Sequence, residues 1–191
     1  MEEASSLISI NMRKKYEVKV AIPEGIKCAV SHGALNCSKG STNISRKNSG
    51  KGINLSISGA EIILNCDKAN KKDIANIHSQ AAHIRNLFLG LNESFVYELE
   101  ICNVHFPMTV KLEGSKLVIN NFLGEKVPRN AEIVEGVNVK IEGSKIKISS
   151  ADIEKAGQTA ANIEKATRVR NKDRRIFQDG CFITKKPEVV L

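Results

Sequence analysis

The sequence predicts an α+β protein of two tandem duplicated domains, each an antiparallel β-sheet of hairpins packed on one α-helix. Three observations carry that expectation. The turn Glu113-Gly114-Ser115-Lys116 recurs as Glu142-Gly143-Ser144-Lys145, each time between alternating apolar residues. The same pattern, more worn, surrounds Gly33 and Gly59, so hairpins fall in two pairs, one in each half. Each pair is then followed by an apolar stripe with helical spacing. The expected organisation is an N-terminal extension over 1–15, a first repeat domain over 16–98 and a second over 99–191.

The elements follow in order. Around Gly33 and Gly59, short alternating runs flank a glycine suited to a tight turn, which predicts two hairpins. Ile74, Ile77, Ala81, Ile84, Leu87 and Leu91 then recur at three and four residues, a helix opened by Asn70 and Asp73. In the second half Val110 and Leu112 face Leu117 and Ile119 across one turn. Val139 and Ile141 face Ile146 and Ile148 across the other. The closing helix carries Ile153, Ala156, Ala160, Ile163 and Ala166, entered through Ser149 and Ser150. The two helices share a string, Ser79 to Ile84 against Gln158 to Ile163. An isolated hairpin pair cannot bury its apolar face, so a helix laid across it closes each core. Ala156, Gly157, Ala160 and Ala161 let the second helix approach its sheet closely.

Charge is the other strong signal. The chain of 191 residues carries a formal charge of +8, the footprint of a phosphate-bearing partner. The excess is uneven: from Lys165 to Lys186 there are eight Lys or Arg against two Asp. Aromatic residues are few and Trp is absent, which argues against stacking unpaired bases on aromatic platforms and favours structured duplex. The run Arg168, Arg170, Lys172, Arg174, Arg175 supplies both bidentate forks and point charges for phosphate oxygens. A solvated helix end would look similar, because cations complement the dipole there.

Two further loops are candidates. Asn121 to Arg129 joins a hairpin to the next strand, with Gly124 for the turn, Phe122 and Leu123 as anchors, and Lys126 and Arg129 reaching outwards. Ser38 to Gly52 reads as a flexible basic loop between strands, with RNA contact as its functional reading; its spacing is not that of a nucleotide P-loop. Cys28, Cys37, Cys66, Cys102 and Cys181 read as reduced thiols, odd in number and without a CxxC pair. His32, His78, His83 and His105 form no zinc pattern. His105 reads as a packed or hydrogen-bonded histidine. Asp173 and Asp179 read as structural carboxylates that fix the arginine forks. No nucleophile elbow, metalloprotease helix or dinucleotide fingerprint is present, so the expectation is no enzyme, no metal and no cofactor. No apolar run reaches the roughly 20 residues of a spanning helix, and no membrane partner is expected.

Four segments together resemble the large-subunit ribosomal protein six family, called protein nine in eukaryotic ribosomes. They are Val104 to Pro107, Asn121 to Lys126, Gln158 to Thr167 and Asn171 to Gly180. The resemblance is close over Val104 to Ile183 and weaker over Tyr16 to Leu91. It implies a cytoplasmic ribonucleoprotein role: binding the 3′-terminal domain of large-subunit rRNA near the sarcin–ricin loop and stalk base. Neighbouring large-subunit proteins, stalk-base proteins among them, and translational GTPases would be close by. Assembly would be nuclear or nucleolar in a eukaryote. The expected RNA-binding residues are Lys126, Arg129, Arg168, Arg170, Asn171, Lys172, Arg174 and Arg175. Phe122, Gly124, Asp173, Phe177, Asp179 and Gly180 are the expected supports. The stretch Asn92 to Glu100 departs from the family by being acidic. It motivates an alternative reading, an extraribosomal basic module that binds an acidic protein.

Overall fold

The computed structural model describes residues 14–31, 33–40, 42–47 and 52–188. Among the described residues the fold is α+β, with two α-helices and antiparallel sheets. The chain divides into two compact units between Phe88 and Leu89.

The first unit holds two three-stranded sheets. In one, β6 (Glu61–Ala69) lies between β1 (Lys14–Ala21) and β5 (Asn54–Ser58). In the other, β3 (Ala34–Lys39) lies between β2 (Lys27–Ser31) and β4 (Thr42–Lys47). Alternation decides which residues are buried: Ile62, Leu64 and Cys66 on β6, Leu35 and Cys37 on β3. The helix α1 (Lys71–Asn92), whose last residues from Leu89 belong to the second unit, buries Ile77, Ala81, Ile84, Leu87, Phe88 and Leu91. Its start is the expected one. Asn70 Oδ1 accepts from the Lys72 and Asp73 N–H groups, and Asp73 returns an oxygen to the Asn70 N–H.

Two expectations in this unit are corrected. Ser38 to Gly52 is not one loop, because Thr42–Lys47 forms β4, with Ile44 opposite Cys37 and Arg46 opposite Leu35. Residues 41 and 48–51 lie outside the described residues, as do His32 and 1–13 of the extension. Nor are all five cysteines free thiols. Cys28 and Cys37 sit directly opposite in the β2–β3 register and form a disulfide. A hairpin register that brings two side chains of one face together was invisible in their spacing. Cys66, Cys102 and Cys181 are free, and Cys66 and Cys181 are buried as fillers.

The second unit holds a four-stranded sheet, β11 (Asn138–Glu142), β12 (Lys145–Ser150), β7 (Phe95–Cys102) and β13 (Gly180–Lys185) in spatial order. A three-stranded sheet runs β10 (Arg129–Glu132), β9 (Lys116–Asn120), β8 (Thr109–Glu113). The hairpins β8–β9 and β11–β12 close on the two repeated turns. The strand β7 spans the expected 98/99 boundary and lies whole in this unit. Across the sheet, Glu98 faces Lys147 and Lys185, and Glu100 faces Lys145. Two of the acids that motivated the alternative reading, Glu98 and Glu100, are thus matched to lysines of neighbouring strands, while Glu93 lies before β7.

The helix α2 (Ile153–Ala166) packs on both sheets through Ala156, Thr159, Ala160 and Ile163, all fully buried. Small residues permit close approach: a Cβ on Gly157 would meet the Tyr97 hydroxyl at 3.0 Å. Ala161, by contrast, is exposed. The helix is entered through Asp152, whose Oδ1 accepts from the Glu154 N–H at 2.9 Å, and not through Ser149 and Ser150, which end β12. Ser150 supports the cap from behind by accepting the Asp152 N–H. No helix among the described residues is long and apolar enough to cross a membrane.

Candidate nucleic-acid interface

The cationic segment begins where α2 stops. Thr167 is buried and its hydroxyl accepts the Cys181 N–H at 2.9 Å, tying the helix end to β13. The chain then runs irregularly from Arg168 to Asp179, with Asn171 at φ 55. Arg168, Arg170, Asn171, Lys172, Arg174 and Arg175 are all exposed. A segment without regular structure needs side-chain ties to hold a shape, and three are present.

The first tie is Arg129. Its Nε and Nη2 donate to both carboxylate oxygens of Glu125, at 2.7 and 2.6 Å. Its Nη1 donates to the carbonyls of Ala166 and Arg168, at 2.9 and 3.2 Å. The guanidinium also lies 4.1 Å from the ring centroid of buried Phe122. Four donations leave one N–H of the fork for a ligand. Expected to reach outwards, Arg129 instead clamps the 121–129 loop to the end of α2. Its hydrogen bonds to Glu125, aided by its charge, hold that carboxyl below the usual range against a smaller opposing effect of burial.

The second tie is Asp173, whose Oδ1 accepts the Arg175 N–H at 2.9 Å while its carbonyl accepts from Ile176 and Phe177. It shapes a turn that presents Arg174 and Arg175. The expectation that it holds arginine forks is corrected: a short carboxylate reaches the main chain two residues on before any guanidinium.

The third tie joins the segment to the loop before β8. Buried Asp179 accepts the His105 main-chain N–H at 2.9 Å and pairs with His105 Nδ1 at 2.6 Å. Burial would raise this carboxyl, but hydrogen bonds from His105 and from the Val104 main chain, with the His105 charge, outweigh it and hold it below its ordinary value. The His105 ring stacks on Phe177 at 4.8 Å, and Lys172 Nζ lies 4.4 Å from the Phe177 centroid. Asp179, like Asp173, supports the segment without holding an arginine. Its partner is 74 residues away.

The 121–129 loop completes the surface. Asn121 and Leu123 adopt φ 60 and 50, and the Asn121 amide donates to the Pro107 carbonyl at 2.9 Å. Gly124, at φ 80, adopts a left-handed turn that favours glycine, while a Cβ there would stand 3.8 Å from the Phe106 ring, an ordinary contact. Three loops, around 104–107, 121–129 and 168–179, therefore form one face of the second unit. Arg129, Lys165 and Arg170 line one shallow groove, and Lys165, Arg168, Arg170 and Asn171 line its neighbour. Lys126 is exposed but lines neither. Gly180 is buried where β13 begins. Lys165 was missed among the candidates because it precedes the irregular run; its place in the last turn of α2 was the signal. His105 was read as packed or hydrogen-bonded, and its partner proves to be Asp179.

Among the described residues no group of three His, Cys, Asp or Glu could hold a metal ion. The arrangement is cationic, exposed and internally braced, suited to phosphate oxygens.

The family model for ribosomal protein L6 matches residues 106–180. The large ribosomal subunit protein uL6 of Haloarcula marismortui is 39% identical over 89% of this chain and 96% of its own length. Its counterparts in Methanococcus vannielii and Methanosarcina mazei are 37% and 38% identical, covering 91% and 92% of this chain and 95% and 99% of theirs. The chain belongs to the ribosomal protein L6 family, structural proteins of the large ribosomal subunit and not enzymes.

Proposed function

We propose that the second unit anchors this protein to large-subunit rRNA through the face built by the 121–129 and 168–179 loops. Arg168, Arg170, Lys172, Arg174 and Arg175 contact phosphates, with Lys165 and Asn171 beside them. Lys126 adds a contact at the margin. Arg129 uses its remaining donor there while holding the loops together. The carrying observation is that exposed cations stand on a segment braced at both ends and in the middle. Bracing matters because phosphate contacts fix register only if the donors are themselves fixed.

The same reading takes in the finer expectations from family resemblance: the 3′-terminal rRNA domain near the sarcin–ricin loop and stalk base, with stalk-base proteins and translational GTPases as neighbours. A ribosomal role places the protein in the cytoplasm. The three relatives come from archaea and lend no support to nuclear assembly. The extraribosomal reading is the less favoured one, since Glu98 and Glu100 of β7 face lysines within the sheet.

The test is the triple variant Lys172→Ala, Arg174→Ala, Arg175→Ala. Each phosphate-contacting cation contributes about one to the slope of log affinity against log salt, so the slope should fall by roughly three. Incorporation into large subunits, followed on sucrose gradients, should fall with it. A variant that sediments with intact subunits as the wild type does would refute the assignment.

A further inference from the structure

Beside the phosphate-facing cations lies an open cleft of about 410 Å³ that their electrostatics do not explain. Its walls include Val104, Val169 and Phe182, and Arg168 and Arg174 stand with Gln178 around it. Val104 is 68% exposed although it is apolar. The Gln178 amide nitrogen donates to the Arg175 carbonyl, and among the described residues its oxygen has no hydrogen-bond donor. The one buried carboxylate in the wall, Asp179, is already committed to His105. The cleft thus combines apolar walls, two guanidinium groups and one idle acceptor.

A volume near the lower end of the roughly 300–1,000 Å³ of ligand pockets suits one small planar group. Paired RNA cannot fill it, because bases within a helix present edges and hide their faces. Only a nucleotide out of the stack offers an apolar face to Val104 and Phe182 and an edge N–H to Gln178. Its flanking phosphates would meet Arg168 and Arg174, whose planar forks suit phosphate oxygens.

We propose that this cleft receives a single unstacked nucleotide, bulged or looped out, of the RNA that the neighbouring cations hold. The proposal rests on the rRNA-binding reading above and adds a site for base capture to it. It also reconciles a chain poor in aromatic residues with recognition of an unpaired base, since one cleft replaces a platform.

The experiment uses the full chain and two synthetic RNA duplexes, identical except for one extra bulged 2-aminopurine. Wild type should bind the bulged duplex about tenfold more tightly than the paired one at equal salt, and the emission of the bulged base should change on binding. Val104→Asn, polar but uncharged and at an exposed position, should erase that preference and leave paired-duplex binding within about twofold. Gln178→Ala is the second variant and should reduce the preference in the same direction. Arg170→Ala, outside the cleft, should weaken both duplexes by the same factor. Equal wild-type affinity for the two duplexes, or a preference that survives Val104→Asn, overturns the cleft while leaving the rRNA reading intact. Binding of neither duplex overturns both. Adenosine monophosphate bound as tightly as the bulged duplex would make this a mononucleotide site and overturn RNA capture.

Discussion

Replacing Arg129 by lysine keeps the charge and removes the fork, and so separates bracing from phosphate attraction. Lysine offers a compact point charge and cannot span both Glu125 oxygens and two main-chain carbonyls at once. The pair with Glu125 is only half-sheltered, since the glutamate side chain is 42% exposed and the arginine 25%. It contributes about 0.5–1 kcal/mol after solvent screening. Hydrogen bonds from a cation to the Ala166 and Arg168 carbonyls add about 1–2 kcal/mol together. Stacking on Phe122 adds about 0.5–1 kcal/mol. Such terms overlap within one network, so the expected loss is about 2–3 kcal/mol.

For a unit near 100 residues that corresponds to a Tm lower by roughly 10–20 °C. Circular dichroism during thermal and urea denaturation measures the loss. Amide exchange over 167–177 should accelerate by more than the global change, because the tie is local. RNA affinity should fall although net charge is unchanged. If Arg129→Lys melts within about 0.5 kcal/mol of the wild type, with exchange in that segment unaltered, the clamp is not structural and Arg129 returns to the list of free phosphate ligands.

Three other outcomes can be checked on the same protein. Gly90→Ala would place a Cβ 1.9 Å from the Ala151 carbonyl oxygen, and urea denaturation should register a loss of at least about 2 kcal/mol. Cys28→Ser with Cys37→Ser opens a cross-link at a sequence separation of 9, which loop entropy values at about 2.6 kcal/mol; reduced wild type should match the variant, and no difference between oxidised and reduced protein would refute the staple. Asp179 has a folded-state pKa below its unfolded value of about 3.9, so its contribution is present above that pH and disappears as pH falls through the folded value. Asp179→Asn should therefore flatten the acid side of the stability profile, and an unchanged profile would count against the His105 tie.

The hairpins β8–β9 and β11–β12 and both helices were legible because their signals are local. A period of two, a glycine turn and an apolar stripe each need only a short window. The strands β1, β4, β7 and β13, which extend the sheets of the hairpins in the two units, were not read. β7 lies between β12 and β13, and β1 pairs with β6, across separations that leave no turn signature. Ser149 and Ser150 misled for a related reason: serine suits a helix entrance, yet the apolar alternation of Ile146 and Ile148 carries the strand through them.

At the site, composition located the cations but could not assign their tasks. Arg129 and Arg174 are the same residue type beside the same loops, yet one has four internal donations and the other stands exposed. The difference comes from where Glu125 and the end of α2 fall in space. Asp173 and Asp179 look alike in sequence, but one shapes a turn two residues away and the other holds a histidine 74 residues away. Those roles explain how an irregular segment serves as a rigid surface. Ordering a free loop on RNA would cost about 0.5–1.5 kcal/mol for each immobilised long side chain, besides its backbone. Here the backbone is fixed before binding by Arg129 at its start, Asp173 within it and Asp179 at its end. The exposed cations then lose only their own rotamer freedom, and affinity should fall more when a brace is removed than when a single exposed cation is.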